Sequence, residues 1–311
     1  MNSATDATTV GVLGLPGEGP TQLLLQALAD EGIATLLLDQ RRFDRTPLHS
    51  RIDESGDLGW ACPDGQTLIA LDSLAGLYLR PMDDLRLWPA DPARGQAGQA
   101  WTQAWVEVAE RLPGRVANRV SAMASNGSKP FQSQHLAAAG FSVPPMLIST
   151  EPQEVLDFEA EHGPLIYKSA SGVRSIVRPL DAAAKTRLPQ IRYCPTLFQK
   201  RLQGTNVRVH VIGETTFCTE IDSDGLDYRY ASRDGGSTTL RNTTLDATTR
   251  WRCIHAAQAL DLPFAGLDLM LADDGLSYCF EVNPSPGYSW YEDATGQPIA
   301  RTLARWLAGR C

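Results

Sequence analysis

Between Gly266 and Gly287 apolar and polar positions alternate with a period of two. Leu267, Leu269 and Leu271 alternate with Asp268 and Met270, and Tyr278, Phe280 and Val282 alternate with Cys279, Glu281 and Asn283. That period predicts two half-buried strands, and Asp274-Gly275 suits the two-residue turn that would close them into a hairpin. So closed, the hairpin sets Asp268 across from Glu281 with Asn283 on the same face. Directly opposed residues have Cβ atoms about 4.5 to 5.5 Å apart, so two carboxylates there repel and ask for a cation between them. Two carboxylates and an amide oxygen are hard ligands, and an incomplete set of them suits Mg²⁺, which completes its shell from phosphate and water. An odd-length loop would flip one strand and undo the arrangement. The plain alternative is the solvent-facing side of an ordinary hairpin.

The same patterning read from the N-terminus predicts a buried strand from Thr9 to Gly14, an amphipathic helix from Thr21 to Glu31 and a second strand to Asp39, an α/β opening. The glycines at 14, 17 and 19 do not fit G-x-G-x-x-G, so they predict a structural turn rather than a dinucleotide loop. A strand ending at Leu79 delivers Arg80 to its C-terminal end, where α/β folds place ligand contacts; a surface charge beside a Pro turn is the alternative. Residues 88 to 99 read as a loop, Ala100 to Leu112 as a helix, and Pro113 to Asn118 as a linker that puts a domain boundary near 115.

Ser128 to Gly140 carries a Ser cap, Pro in the first turn and Gly just past the end, which together mark a helix. Lys129 then stands at a helix start, unfavourable against the dipole unless an anion is also bound there. Lys168 ends a predicted strand before Ser169, Ser171 and Gly172, small residues that let backbone N–H groups approach a phosphate. A further strand sets Arg208 and His210 on one face, either to meet an anion or as a simple wet face. A helix is expected from about Asp246 to Leu260.

Composition narrows the function classes. A chain of 311 residues with 43% hydrophobic content has material for two or three packed lobes. A net charge of -8 argues against a general nucleic-acid binder. The six cysteines show neither C-x-x-C nor matching His spacing, so neither a zinc site nor a disulfide framework is expected. No run of about 18 apolar residues occurs and the N-terminus lacks a signal pattern. A cytoplasmic location without membrane contact follows as the expectation.

Taken in order, YLRP (78 to 81), SNGSKPFQSQHLAAAGFSVPP (125 to 145), LIYKSASG (165 to 172), LFQKRLQGTNVRVHVIG (197 to 213), LDYR (226 to 229), GLDLML (266 to 271) and FEVNPSPGYSWYEDATGQPI (280 to 299) resemble the ATP-grasp superfamily, specifically ligases of the RimK type. The nearest form of the resemblance is to the maturases that cyclise ribosomal peptides of the microviridin (graspetide) class. It implies an α/β and α+β architecture: an N-terminal pre-ATP-grasp α/β domain over 1–115, a central ATP-grasp lobe over 116–205 and a C-terminal lobe with the metal site over 206–311. It also implies ATP and Mg²⁺ as cofactors. Carried over by position, Lys129 and Lys168 contact the phosphates, Ser169, Ser171 and Gly172 belong to the phosphate loop, and Gln199, Lys200, Arg201 and Leu202 line the adenine hinge. Asn206 falls at the ribose contact, Arg208 and Arg229 handle the transferred phosphoryl group, and Asp268, Glu281 and Asn283 hold the metal. Lys200 and Asn206 depart from the family pattern, which usually has acidic residues there.

The activity implied is activation of a carboxylate as an acyl phosphate and its capture by an amine or hydroxyl, on a precursor peptide as partner or between small amino acids. A homo-oligomer is compatible with it. The aromatic residues Tyr288, Trp290 and Tyr291 lean towards the peptide. A small-molecule kinase and a nucleotide-binding module without ligase activity are the readings from other classes.

Overall fold

Val10, Val12 and Leu13 have no exposed surface, the continuous apolar run of a strand covered on both faces. In the computed structural model their strand, Thr9–Gly14, lies inside a parallel sheet ordered Ala34–Asp39, Thr9–Gly14, Gly76–Leu79, Arg115–Ala117. The structure describes residues 8–55, 58–64, 67–170, 176–223 and 237–310. Ser171, Gly172 and Arg229 lie outside them.

The chain divides into two compact units: Met1–Met123 with Asp261–Phe264 and Pro284–Cys311, and Ala124–Leu260 with Ala265–Asn283. This differs from a division at 115 and 205. The expected linker is the strand Arg115–Ala117, which pairs with Gly76–Leu79. The chain beyond Pro284 belongs to the first unit because its last helix, Ile299–Leu307, buries Ile299, Leu303 and Leu307 there, with the Trp306 carbonyl accepting from Arg115.

In the first unit the glycine-rich segment after Gly14 is a turn, as expected. Glu18 accepts from the N–H of Thr21 at the start of the helix Gly19–Asp30. The same carboxylate accepts twice from Arg80 Nε, at 2.9 and 2.8 Å. Arg80 is not a loose surface charge, since its Nη1 also donates to the carbonyls of Ser285 and Pro286 at 3.2 and 3.0 Å. Asn118, 1% exposed, donates to the carbonyls of Phe264 and Pro284 and accepts from the Phe264 N–H. Its amide is thereby satisfied in the interior, where an orphan group is costly. Asn118 and Arg80 thus grip the chain on either side of 265–283, the stretch containing the carboxylate hairpin.

The helix expected from Ala100 begins earlier and runs Pro92–Arg111. Asp91 accepts from the Arg94 N–H at 3.0 Å and Pro92 occupies the first turn, a start signal that outweighs the poor helix propensity of Gly95 and Gly98. Both glycines are buried, and a Cβ on Gly95 would lie 3.3 Å from the Leu85 side chain. Close packing therefore recovers what propensity loses.

The second unit carries a four-stranded sheet ordered Arg178–Pro179, Leu165–Ser169, Thr196–Lys200, Met146–Ser149. Its five-stranded sheet is ordered Thr238–Thr243, Thr215–Ser223, Gly204–Ile212, Phe264–Ala272, Ser277–Asn283. The helix Ala247–Ala259 in this unit starts at Asp246, which accepts from the N–H groups of Thr248 and Thr249 at 2.9 and 3.0 Å. Hydrogen bonds from Thr249 hold the Asp246 carboxyl below its usual range. A depressed carboxyl stabilises the fold above the unfolded pKa of about 3.9, and that contribution is lost as pH falls through the lower folded value. Asp246→Ala is therefore expected to cost about 1 kcal/mol at neutral pH, with the deficit in urea melts shrinking as pH falls below the unfolded carboxyl pKa of about 3.9.

Candidate active site

The strands Phe264–Ala272 and Ser277–Asn283 pair antiparallel, with Gly266 opposite Asn283, Leu267 opposite Val282 and Asp268 opposite Glu281. The opposition is the expected one, but it is reached differently. Instead of a two-residue turn, Ala272 and Leu276 close a three-residue loop: the Ala272 N–H donates to the Leu276 carbonyl at 3.0 Å, and the Gly275 N–H to the Ala272 carbonyl at 2.9 Å. Gly275 has φ 82°, left-handed backbone that glycine adopts without strain. This odd loop alone would carry Glu281 to the wrong face. A bulge corrects it, because pairing steps from Leu269 with Cys279 to Asp268 with Glu281 and leaves Phe280 as the extra residue. Cys279 and Val282 are consequently both buried in the core, at 1% and 0% exposure.

A polar row crosses the sheet at this level. Asn242 lies opposite Thr219, and Thr219 opposite Arg208. Arg208 Nη1 then reaches Asp268 Oδ1 at 2.7 Å, and Asp268 faces Glu281. At the far end Lys129 Nζ lies 3.2 Å from Glu281 Oε2, while Asn283 Nδ2 donates to Glu281 Oε1, also at 3.2 Å. Each opposed carboxylate thus has its own cation, and their mutual repulsion is offset within the chain. The pairs are partly buried, with side-chain exposures of 6% and 18% for Arg208 and Asp268, 17% and 19% for Lys129 and Glu281. Arg208 and His210, at 5% and 0% exposure, do not form a wet face.

Asp268, Glu281 and the carbonyl oxygen of Asn283 form a donor set that fits Mg²⁺, since all three are hard oxygen ligands. Among the described residues no group of three or more His, Cys, Asp or Glu side chains is arranged for a metal, so an ion here would need the Asn283 amide oxygen beside the two carboxylates. Cys279 offers no thiolate: burial first, and the charges of Cys253 and Asp268 after it, push its thiol well above the ordinary range.

The remaining expected residues fall in distinct places. Lys129 is the first residue of the helix Lys129–Ala138, with Ser128 as its cap. Lys168 and Ser169 end the strand Leu165–Ser169, opposite Leu197 and Thr196. Gln199 is 3% exposed in Thr196–Lys200. Lys200, Arg201 and Leu202 line an open cavity of about 330 Å³ with Pro164, Gln203, Ala272, Asp273 and Asp274. The loop residues Asp273 and Asp274 thus line the same cavity as Lys200 and Arg201. Asn206 is half-buried near the start of Gly204–Ile212, opposite Ile221. Gly204, at φ 151°, lets that strand press against its neighbour, since a Cβ would lie 2.3 Å from the Leu271 carbonyl oxygen.

Of the aromatic residues, Tyr288 and Tyr291 are 0% and 6% exposed, and the Tyr288 hydroxyl bonds the Pro20 carbonyl. Only Trp290 is exposed, so the run belongs largely to the first unit's core and does not favour a peptide. Two residues given no role by the sequence pattern bear on the site. Asn118 holds the Phe264 and Pro284 backbone and Gln132 bonds that of Val282; for Gln132 the signal available in the sequence is a polar residue spaced to share a helix face with Lys129.

The sequence model of the RimK-like ATP-grasp domain matches residues 129–307. Among solved structures, that of the ATP-grasp ligase PsnB complexed with minimal precursor is similar over 98% of this chain and 100% of that one, with a TM-score of 0.78 and 25% identity. A probable alpha-L-glutamate ligase of Cellvibrio japonicus is 34% identical over 111 residues, 35% of this chain and 36% of its own length. The ribosomal protein bS6–L-glutamate ligase of Escherichia coli O139:H28 is 28% identical over 201 residues, 61% of this chain and 66% of its own length. Both sequence matches cover less than two thirds of the relative. The architecture is the two-lobed ATP-grasp fold, and no helix among the described residues is long and apolar enough to cross a membrane.

Proposed function

The chain belongs to the RimK-like ATP-grasp family, and on that premise we propose that it is an ATP-dependent ligase that joins a carboxylate to an amine or hydroxyl of a ribosomal precursor peptide. The observation that carries the reading is the carboxylate pair opposed across two strands, with Lys129 and Arg208 against it. Nothing in a hairpin's own stability calls for that pair, since opposed like charges are unfavourable.

In the proposed reaction an oxygen of the substrate carboxylate attacks the γ-phosphorus of ATP, the bond to the β-phosphate oxygen breaks, and ADP leaves. The acceptor nitrogen or oxygen then attacks the acyl carbon, its proton passes to solvent, and phosphate departs. Such transfers depend on positioning and charge neutralisation more than on covalent participation by the protein. Asp268, Glu281 and Asn283 would hold Mg²⁺, which when bound would neutralise charge on the phosphate oxygens. Lys129 and Lys168 hold the phosphates, assisted by Ser169, Ser171 and Gly172. Gln199, Lys200, Arg201 and Leu202 take the adenine, and Asn206 the ribose. Arg208 and Arg229 neutralise the phosphoryl group in flight. Lys129 Nζ lies 3.2 Å from Glu281, which sets its ammonium beside the carboxylate pair.

A peptide substrate is favoured because the likeness to PsnB spans the whole chain, whereas the glutamate ligases match a part. The test supplies ATP and Mg²⁺ with candidate precursor peptides and, separately, with free glutamate plus acceptor proteins, following ADP, phosphate and product mass. ADP and phosphate released together with a peptide lighter by one water supports the proposal. A product extended by glutamate supports the second reading, a ligase of the glutamate-adding kind. A phosphorylated product without free phosphate would make the protein a kinase and overturn both.

A further inference from the structure

Gln132 lies one turn beyond Lys129 on the helix Lys129–Ala138, so the two side chains leave the same face. Its amide is buried, 3% exposed, and bonds the backbone of Val282 in both directions: Nε2 donates to the carbonyl at 2.8 Å and Oε1 accepts from the N–H at 2.9 Å. Ser277–Asn283 is the edge strand of its sheet, and its outward backbone groups need partners. Ser142 supplies the first, donating to the Ser277 carbonyl and accepting from the Cys279 N–H, both at 3.1 Å. In a regular strand the next outward residue would be 281. The extra residue Phe280 moves that position to Val282, where the Gln132 amide meets it. The segment 129–142 is therefore fixed to the edge strand at two points.

We propose that Gln132 is a positioning residue for the nucleotide site: by bonding the Val282 backbone it sets Lys129 against Glu281. The functional consequence rests on the ligase reading above. A cation at a helix start is opposed by the dipole, so Lys129 stays there because the helix is held in one rotation and one height. A slip by one residue would turn the helix by about 100° and shift it by about 1.5 Å, carrying the ammonium off the carboxylate. The two bonds to Val282 oppose both movements, since one amide cannot donate to the carbonyl and accept from the N–H of the same residue from a displaced position. Lys129 and Gln132 are one rigid pair that reads one strand.

The test uses Gln132→Leu and Gln132→Met, which keep bulk and remove both bonds; Met serves where the branched side chain impairs folding. Two quantities are measured on the full chain well below its melting temperature. The first is the rate at which an amine-reactive ester acylates Lys129 in the ligand-free protein, relative to Lys185 in the same sample. The second is the Kd for a non-hydrolysable ATP analogue with magnesium, by calorimetry. Loss of the two bonds is expected to raise the Lys129 to Lys185 labelling ratio several-fold and to weaken analogue binding by about tenfold. An unchanged labelling ratio overturns the proposal, whatever happens to the melting temperature, because a merely structural role lowers stability without freeing one ammonium selectively. Should the wild-type chain bind no analogue, the ligase reading falls, and the labelling ratio still decides whether Gln132 positions Lys129.

Discussion

Asp268→Asn and Glu281→Gln are each expected to leave the chain folded and to lower ATP turnover by at least about a hundredfold. Both changes conserve shape and remove one negative charge from the proposed donor set, so under that assignment they weaken its hold on a divalent ion. Their stability effects should differ, because the cations they abandon differ. Arg208, with 6% side-chain exposure, loses its charged partner in the interior, although the amide oxygen of the Asn still accepts from it. Lys129, 17% exposed at the end of a flexible stem, is closer to solvent. Asp268→Asn is accordingly expected to cost about 2 kcal/mol and Glu281→Gln under about 1 kcal/mol. Relief of the carboxylate repulsion reduces both figures. Urea melts and an ADP-release assay on the same samples separate the two quantities. Turnover at the wild-type level in both variants would remove the metal assignment; turnover that falls only in proportion to the folded fraction would make the pair a structural element.

The hairpin shows which parts of a site can be read from a chain. Alternation of Leu267, Leu269 and Leu271 with Asp268 and Met270 fixes a buried face, because burial selects one side of a strand. Asp268 opposite Glu281 was legible for that reason. The loop and the bulge were not, since Asp273-Asp274-Gly275 serves a three-residue turn as well as Asp274-Gly275 serves a two-residue one, and the extra residue is placed by edge contacts from Ser142 and Gln132, more than 130 residues away. The same division recurs elsewhere. The Ser128 cap and the strand Thr9–Gly14 are local and were legible. The early start of the helix Pro92–Arg111 depended on the packing of Gly95 and Gly98, and the strand Arg115–Ala117 depended on a partner nearly forty residues back. Asn118, taken as linker, is defined by Phe264 and Pro284. Tertiary partners decide such polar residues, and one chain read alone does not name them.

Arg208 carries the remaining large effect, and two substitutions there distinguish its structural from its chemical role. Its guanidinium is 2.7 Å from Asp268 and nearly buried between Thr219 and that carboxylate in the polar row. Arg208→Met keeps length and removes the charge, breaking the 2.7 Å ion pair with Asp268; a broken buried pair costs about 3 to 5 kcal/mol. Arg208→Lys restores the charge, so most of that stability should return, to within about 1 to 2 kcal/mol of wild type. Turnover should not return with it. A planar fork can bond Asp268 through one nitrogen and a phosphoryl oxygen through another, whereas an ammonium on a flexible stem acts as a point charge and cannot span both in fixed geometry. The Lys variant is therefore expected to melt near wild type while turning over ATP about a hundredfold more slowly. If its turnover instead tracks its stability, Arg208 serves only to neutralise Asp268. Adding Asp268→Asn to Arg208→Met completes the cycle: where the two side chains couple chiefly to each other across 2.7 Å, the double variant should lose less stability than the sum of the two single changes.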